Sequence, residues 1–419
     1  MGTVPTIAGF VNDEDRARTP RLPRPDPTPP RIPIVRISNR EVTTGVARFA
    51  HLSYASLIML RWLRRHGSER NLMADIRVDG EKLRDFTAAV FEQVGLTSED
   101  AAIEAEVLVW ANLRGVDSHG VQRVNGYVQS VEAGHYNPRP DIRIERETPA
   151  TMLIEANCAF GPVVTTYAME QAIEKARGAG IGWVLIRNTT HQGAMAYYAQ
   201  MAARENMAGI ASVCNPPNMA PPGARAPGVH NSPIAIAVPG SDGRTISLDM
   251  ATSVAAFGKL DVAVDRGEAI PDTWALDGDG HPTTDPRKAR FLQPAAGYKG
   301  YGLALIFECL SSLMVGNPLL TAAISGRGAR PGAQNSFIGA IDIAAFTDPD
   351  TYRTQIDELV SAMKGLPRVE GVDELFVPGE PEEVVHRERI EHGIPLPAGT
   401  RDKLIEVAEK FGLEVPWKA

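Results

Sequence analysis

The sequence predicts an α/β fold, and three observations carry that reading. Beyond Pro138, apolar runs of strand length alternate with longer runs whose apolar residues recur every three or four positions. Glycines stand where the helical patterns stop. Two further helical patterns come before the alternation begins.

Taken in order, Leu83, Phe86, Val90 and Val94 make a helical stripe that stops at Gly95. Thr97, with Asp100 three residues later, resembles a capping box for a second helix. Ile103, Val107 and Trp110 mark the buried face of that helix, and Gly115 is placed to end it. Ser118 is expected to cap a third helix. Residues 151–156 read as a strand, and 163–177 as a helix closed by Gly178 and Gly180. Strands are expected at 181–186, 208–213, 234–238, 245–248 and 337–344. Helices are expected at 194–206 and 300–315, around 359–363, and at 401–411. No internal repeat is evident.

Bulk properties narrow the function. A chain of 419 residues can bury a full core and divide into two or three domains. Its net charge of −8 argues against a general nucleic-acid binder, which would show a basic face. No apolar run reaches the ~20 residues of a membrane-spanning helix. Cys158, Cys214 and Cys309 are far apart, which fits reduced thiols in a cytoplasmic protein better than disulfides.

Residues 1–74 differ from the rest. They hold 12 Arg, no Lys and 6 acidic residues, a balance of +6, while the remainder carries −14. Eight prolines fall between Pro5 and Pro33, too many for a packed core, so an extended or disordered extension is expected. A short apolar stretch at 52–63, followed by Arg64 and Arg65, fits an anchor poorly because it is short and lacks a small-residue cleavage site. Met73 fits a natural start just before the regular pattern begins.

Several familiar devices are missing. There is no G-x-G-x-x-G turn, P-loop, H-E-x-x-H, C-x-x-C or G-x-S-x-G. A nicotinamide cofactor would therefore need a different cradle, and no metal site is expected. What remains is a polar stripe after Gly115. His119, Arg123 and Tyr127 stand at i, i+4 and i+8, which one helix would place on a single face. Ser118 adds a hydroxyl, and Arg123 can grip a carboxylate with two parallel hydrogen bonds. On spacing alone, a solvated polar face explains the stripe somewhat better than a carboxylate site.

His191 lies just past an expected strand end, a favoured place for ligand sites in α/β folds. Gly193 beside it allows backbone to approach a ligand closely, and histidine has the pKa to exchange a proton with an alcohol. A single histidine is still more often structural. The segment 215–223 is too proline-rich for helix or inner strand, so it reads as a rigid surface loop or a pre-set cofactor wall. Asp249 can cap N–H groups or bind a ribose.

Four motifs resemble the malate/L-lactate dehydrogenase family that lacks the Rossmann fold. They are Gly115 to Arg123, Asp249-Met250-Ala251-Thr252, Ile270 to Ala275, and Pro294 to Gly302, in that order. The family also contains ureidoglycolate dehydrogenase, sulfolactate dehydrogenase and cyclic-imine reductases, and the resemblance runs from about Ile76 to Leu413. It implies a non-Rossmann nicotinamide-binding domain with a largely antiparallel sheet, a helical domain formed from both ends of the chain, and a homodimer. The implied divisions are a helical domain at 75–140 with the substrate motif, a cofactor domain with a helical insertion at 141–345, and a return at 346–419.

Carried over by position, His191 matches the proton acceptor, while Ser118, His119 and Arg123 match the substrate motif. Asp249, Met250, Ala251 and Lys299 match cofactor contacts, and Gly379-Glu380-Pro381 falls where a late loop touches the cofactor. Asn215 stands where relatives often carry serine. His191-Gln192-Gly193-Ala194 with Tyr197 and Tyr198 resembles the ureidoglycolate branch more than the others.

The reaction expected is hydride transfer between NAD or NADP, with NAD marginally preferred, and a small 2-hydroxy acid. Arg123, Ser118, His119 and Tyr127 would hold the substrate. His191, or alternatively His119, would move the proton. Competing readings are an NADPH-dependent cyclic-imine reductase, a metal-dependent hydrolase using His119, His191 and His230, and a non-catalytic dimeric binding protein.

Overall fold

The computed structural model describes residues 76–328 and 332–417. The arginine-rich, proline-rich segment and Met73 lie outside them, as does the expected extension as a whole.

The chain opens with β1 (Ile76–Val78), α1 (Gly80–Gln93) and α2 (Ser98–Leu113). Two 3-10 turns, Asp117–His119 and Val121–Arg123, precede α3 (Val124–Glu132). There follow β2 (Arg143–Glu147), β3 (Thr151–Glu155), α4 (Gly161–Ala179), β4 (Ile181–Thr189) and α5 (Met195–Arg204). Three strands come next, β5 (Met207–Cys214), β6 (Ile234–Pro239) and β7 (Thr245–Met250). An excursion through α6 (Phe257–Arg266), β8 (Ala275–Leu276), β9 (Phe291–Leu292), α7 (Tyr298–Glu308), a π-helical turn (Cys309–Leu313) and α8 (Leu319–Ile324) returns to β10 (Gln334–Asp342). The chain closes with α9 (Pro349–Lys364), α10 (Glu380–His392), β11 (Ile394–Leu396) and α11 (Ala398–Phe411).

Local chemistry explains many boundaries. Asp79 accepts a hydrogen bond from the Lys82 amide and starts α1. Thr97 does the same for α2 through the Asp100 amide, at 3.0 Å. Gly180, at φ +81°, closes α4 in the left-handed conformation that costs glycine least.

The main sheet has seven strands in the order β2-β3-β4-β10-β5-β6-β7. Only β3 and β4 run parallel; the other neighbours are antiparallel. The alanine-rich helices α4 and α5 pack on this sheet. Ala168, Ala172, Ala199 and Ala203 meet Ile154, Val184, Ile186, Ala211 and Ile338 in one buried cluster. Small side chains let the helices approach closely, and Gly182 and Gly209 let the strands answer. A Cβ on Gly182 would stand 1.9 Å from the Ala172 carbonyl oxygen, and one on Gly209 2.1 Å from that of Ala199.

A second cluster joins the two ends of the described chain. Val78, Leu83, Phe91 and Leu108 pack with Ile394, Leu396, Leu404 and Val407. Within it β1 pairs with β11, Val78 opposite Ile394. A third, smaller cluster gathers Met219, Val229, Leu260, Ile270 and Leu292 around the excursion. The proline-rich loop therefore does more than skirt the surface, because Met219 and Ala220 are buried. On α7 and the π turn, Leu303, Ile306, Leu310, Leu313 and Met314 remain exposed. Among the described residues, no helix is long and apolar enough to cross a membrane.

The register places one edge of the sheet under the site. Thr189 pairs with Gln334, Asn335 with Cys214, Ser212 with Ile234, and Ile234 with Met250. The end of β4, the end of β5, the start of β6 and the end of β7 thus lie side by side, carrying His191, Asn215, His230 and Asp249 to the same margin.

Replacing Gly182 with Ala would push a methyl group into helix backbone that cannot swing aside. A loss of about 1–3 kcal/mol is expected, seen as a lower denaturation midpoint at unchanged denaturant slope.

Candidate active site

The turn after α2 is built by an amide and an ion pair. Asn112, in the last turn of α2, donates to Asp117 Oδ1 at 2.7 Å and accepts from the Val121 amide at 2.8 Å. Gly120 passes so close that a Cβ would fall 2.2 Å from Asn112 Oδ1. Asp117 is also gripped by Arg389 of α10, Nη1 to Oδ1 at 2.6 Å and Nη2 to Oδ2 at 3.0 Å. Arg389 Nη1 further donates to the Asn112 carbonyl.

This arrangement corrects the expected helix. Ser118 is no N-cap, because it lies inside a 3-10 turn and α3 begins only at Val124 without a side-chain cap. Gly120 is extended there, at φ −97° and ψ −154°, which breaks any helix between His119 and Arg123. Asn112 supplies from the preceding helix the acceptor that Ser118 was expected to supply.

His119, Arg123 and Tyr127 nevertheless converge. Ser118 Oγ lies 2.9 Å from His119 Nδ1, and Arg123 Nε donates to the Ser118 carbonyl at 2.7 Å. The His119 ring stacks on His191 with centroids 5.3 Å apart. Tyr127 Oη stands 2.5 Å from His191 Nδ1, and the Gly193 amide reaches the same nitrogen at 3.2 Å. A backbone N–H only donates, so Nδ1 accepts and the ring proton sits on Nε2. Tyr136 Oη accepts from the His191 amide at 3.3 Å, fixing the backbone as well.

Burial sets the charges. It pushes His191 well below the usual histidine range, with help from His119, Arg123 and His230. His119 falls to about 4, through burial and then Arg123. His230 falls to about 3 through burial alone. Tyr127 is pushed well above the ordinary phenol value, again chiefly by burial, and so keeps its proton for the bond to His191. Arg123 forms no ion pair among the described residues, and the nearest acid of the motif, Asp117, is already paired with Arg389. Glu104, fully buried on α2 with both carboxyl oxygens unpartnered, is raised well above the carboxylate range and stays neutral. The charge left for a ligand is that of one guanidinium.

The expected cofactor residues divide. Asp249, Met250 and Ala251 lie at the end of β7. The Asp249 carboxylate accepts from the Ala196 amide at the start of α5, at 2.9 Å, and burial raises it to about 6. It caps α5, which precedes it by two strands, and not the helix that follows it. Gly379, at φ +93°, lies directly on Ser247 of β7, whose amide donates to the Pro378 carbonyl. Glu380 and Pro381 open α10 where a loop was expected. Glu380 is spent on the Val377 amide and on Lys364. Lys299 is exposed in the first turn of α7, where Gly300 packs on the Thr252 carbonyl just past β7. Asn215 is half-buried after β5. The buried Thr252 hydroxyl has no partner among the described residues. An acid, a hydroxyl without a partner among the described residues and, one residue before Gly300, an exposed lysine are the kinds of group that ribose hydroxyls and phosphates of a dinucleotide call for. Among the described residues, no three His, Cys, Asp or Glu side chains are grouped as a metal site.

Comparison with known proteins decides the lineage. The family model described as malate/L-lactate dehydrogenase matches residues 78–405. The chain belongs to the malate/L-lactate dehydrogenase family. It is 37% identical over 331 residues to the L-sulfolactate dehydrogenase of Methanocaldococcus jannaschii, covering 78% of this chain and 94% of that one. It is 33% identical over 325 residues to the NAD(+) ureidoglycolate dehydrogenase of Escherichia coli strain K12, covering 77% and 93%. The crystal structure of malate dehydrogenase from Entamoeba histolytica superposes with a TM-score of 0.78 at 28% identity, covering 82% of this chain and all of that one.

Within the malate/L-lactate dehydrogenase family frame, sequence reasoning missed two participants. Tyr136 carried no periodic signal. Arg389 sits 272 positions from Asp117, too far for any local pattern. His230 was named, though only as a possible metal ligand beside His119 and His191. All three histidines at the site are neutral in the fold but bind protons once unfolded. Their folded pKa values lie below the unfolded ~6.5, so the stability they confer is present above that pH and lost as pH falls. The melting temperature is expected to drop as pH is lowered from 7 to 5, and a flat profile by scanning calorimetry would contradict the buried neutral rings.

Proposed function

We propose that this chain is a nicotinamide-dependent dehydrogenase of small 2-hydroxy acids, using Arg123 as the carboxylate clamp and His191 as the acid/base. The observation that supports it most is the Nδ1 grip on His191 beside an arginine that has no acidic partner. Arg123 is half-buried, and a half-buried cation without a counter-ion among the described residues gains from the carboxylate that a substrate supplies. Relatives that carry the names malate, sulfolactate and ureidoglycolate dehydrogenase share the 2-hydroxy acid unit, which the clamp and the histidine would address.

Ser118 and His119 flank the clamp and complete a rim of hydrogen-bonding groups around the carboxylate. The bound nicotinamide supplies the hydride acceptor, with Asp249, Thr252 and Lys299 holding the dinucleotide. Nε2 of His191 faces the reacting oxygen. In the oxidative direction the neutral ring carries its proton on Nδ1, donated to the Tyr127 hydroxyl in place of the Gly193 contact, and Nε2 takes the substrate hydroxyl proton, leaving an imidazolium. In the reductive direction that imidazolium gives its Nε2 proton to the oxygen of the 2-oxo acid and returns to neutral. His119 is less suited to this work, because its Nδ1 meets only Ser118, its neighbour in the chain, and its ring rests on His191 by stacking.

NAD is the preferred cofactor, and the cytoplasm the expected compartment. A homodimer is the proposed assembly, with the exposed leucines and isoleucine of α7 as the surface to be covered by a second copy. The domain division stays as the sequence suggested, with the substrate motif on the helical part and the sheet carrying the cofactor.

The function is tested by mixing the protein with pyruvate, oxaloacetate, ureidoglycolate or a cyclic imine and each reduced nicotinamide in turn. Loss of absorbance with a 2-oxo acid is expected, and loss with the cyclic imine alone would overturn the reading. His191→Ala should lower kcat by at least about 100-fold while dinucleotide binding, followed by fluorescence, persists. Retained turnover would move the proton step to His119. Arg123→Lys should raise KM with a smaller effect on kcat, because the bidentate grip is lost.

A further inference from the structure

The path by which the chain enters His191 is itself held by a dedicated set of contacts. Just before that residue, β4 carries a bulge. Ser336 of β10 pairs with Ile186 and Gln334 with Thr189, so one extra residue stands in β4 between the two pairs. The side chains show the same insertion. Arg187 Nη1 donates to the Val315 carbonyl at 3.1 Å, and Asn188 Oδ1 accepts from Asn317 Nδ2 at 2.8 Å. Two consecutive residues of a strand thus turn to the same stretch after the π turn. Asn188 makes this possible by adopting φ +57°, a left-handed conformation that glycine and asparagine tolerate best.

Every polar group of Asn188 is matched. Its amide, which the bulge takes out of the ladder, donates to Asn335 Oδ1 at 3.1 Å, and its carbonyl accepts from the Cys158 amide at 2.7 Å. Its Nδ2 donates to the two Glu155 oxygens at 3.2 and 3.0 Å. Asn317 Nδ2 also donates to Asn335 Oδ1 at 3.1 Å, and Asn335 Nδ2 to the Asn317 carbonyl at 2.9 Å. The amide orientations follow from groups that cannot reverse. The Glu155 carboxylate, paired with Arg187, only accepts, so Asn188 turns Nδ2 to it and Oδ1 to Asn317. The Asn188 backbone N–H only donates, so Asn335 offers it Oδ1. Asn317 must then present its NH2 to both oxygens.

A strand that slips by one residue turns every later side chain to the opposite face. With the bulge in place, Thr189 faces the same way as Ile186, and the chain beyond it meets fixed partners. Thr190 Oγ1 donates to the Ala159 carbonyl at 3.0 Å and accepts from the Gly161 amide at 3.1 Å. Backbone passes close here, since a Cβ on Gly161 would stand 2.3 Å from the His191 carbonyl oxygen. Without the extra residue the chain would reach these partners one position out of phase, and the imidazole would miss Tyr127 Oη and the Gly193 amide. Among the described residues, Asn188, Asn317 and Asn335 form no hydrogen bond to Arg123 or to β7.

We infer that Asn188 is a positioning residue for the proton-transfer step: its left-handed bulge, held by Asn317 and Asn335, sets where the His191 ring stands. The inference rests on the acid/base role given to His191 under Proposed function and deepens it. The device acts through the backbone, so it governs turnover and leaves affinity for the substrate carboxylate to Arg123 and for the dinucleotide to β7. It also ties the ring to the loop that follows the exposed apolar face of α7.

The test measures kcat and KM with the 2-oxo acid that the full-length wild type reduces best, and dinucleotide binding by fluorescence. Asn188→Ala and Asn188→Gly lose the same side-chain hydrogen bonds and differ in the cost of the left-handed conformation. Asn188→Ala should lower kcat about tenfold, the population shift that this cost produces, with KM and dinucleotide binding little changed. Asn188→Gly should recover most of the loss. Asn317→Ala, at a half-buried loop position, should lower kcat in the same way. Adding Asn188→Gly to it should again recover most of the loss, which a merely structural part for Asn317 would not permit. An unchanged kcat in both alanine variants, or equal losses in Asn188→Ala and Asn188→Gly, overturns the inference and leaves the dehydrogenase reading standing. Full turnover in His191→Ala overturns the acid/base role instead, and a wild type that reduces no 2-oxo acid overturns the dehydrogenase reading; this inference falls with either.

Discussion

The buried Arg389 guanidinium holds the substrate turn in place. It spans both oxygens of Asp117 and the Asn112 carbonyl, and it comes from a helix near the other end of the chain. Removing Asp117 would leave the Arg389 guanidinium buried and unmatched, a loss of about 3–5 kcal/mol in comparable pairs. The pair also neutralises the one carboxylate of the motif. Arg123 is then left without an acidic partner among the described residues, as the proposed carboxylate clamp requires. Position and electrostatics are set by the same contact.

The sheet contributes differently. Its antiparallel register carries the ends of β4, β5 and β7 and the start of β6 to one margin, so groups far apart in sequence meet without long loops. Close helix packing, allowed by Gly182 and Gly209, keeps that margin from shifting. On it, His191 is held at Nδ1 from two directions, by a side chain of α3 and by its own backbone two residues on. A ring fixed at one nitrogen presents the other reproducibly, and proton transfer depends on that orientation more than on the ring's intrinsic basicity.

Much of this was legible in the sequence, for physical reasons. Apolar periodicity and glycine punctuation placed most helices and strands, since both follow from local backbone geometry. The resemblance in the motif from Gly115 to Arg123 marked the turn that is proposed as the substrate side. The helix expected from Ser118 failed because a tertiary contact won: Asn112 captured the Val121 amide, and Gly120 extended to make room. Spacing of i, i+4 and i+8 still brought His119, Arg123 and Tyr127 together, although through two 3-10 turns and the start of α3. Arg389, Tyr136 and the neutral Glu104 were not legible at all, because their roles arise from contacts across the fold and from burial. His230 lay between these cases, named among three histidines whose meaning spacing could not supply.

The helix α10 touches both halves of the site. Gly379 at its start lies on Ser247 of the cofactor strand, and Arg389 ten residues later grips the substrate turn. Ten residues of α-helix span about 15 Å. The separation of the two halves is thus measured out by peptide geometry, as on a ruler, and is insensitive to how loosely side chains pack between them. One residue added inside α10 would turn Arg389 by about 100° around the axis, so the helix tolerates changes of composition far better than changes of length.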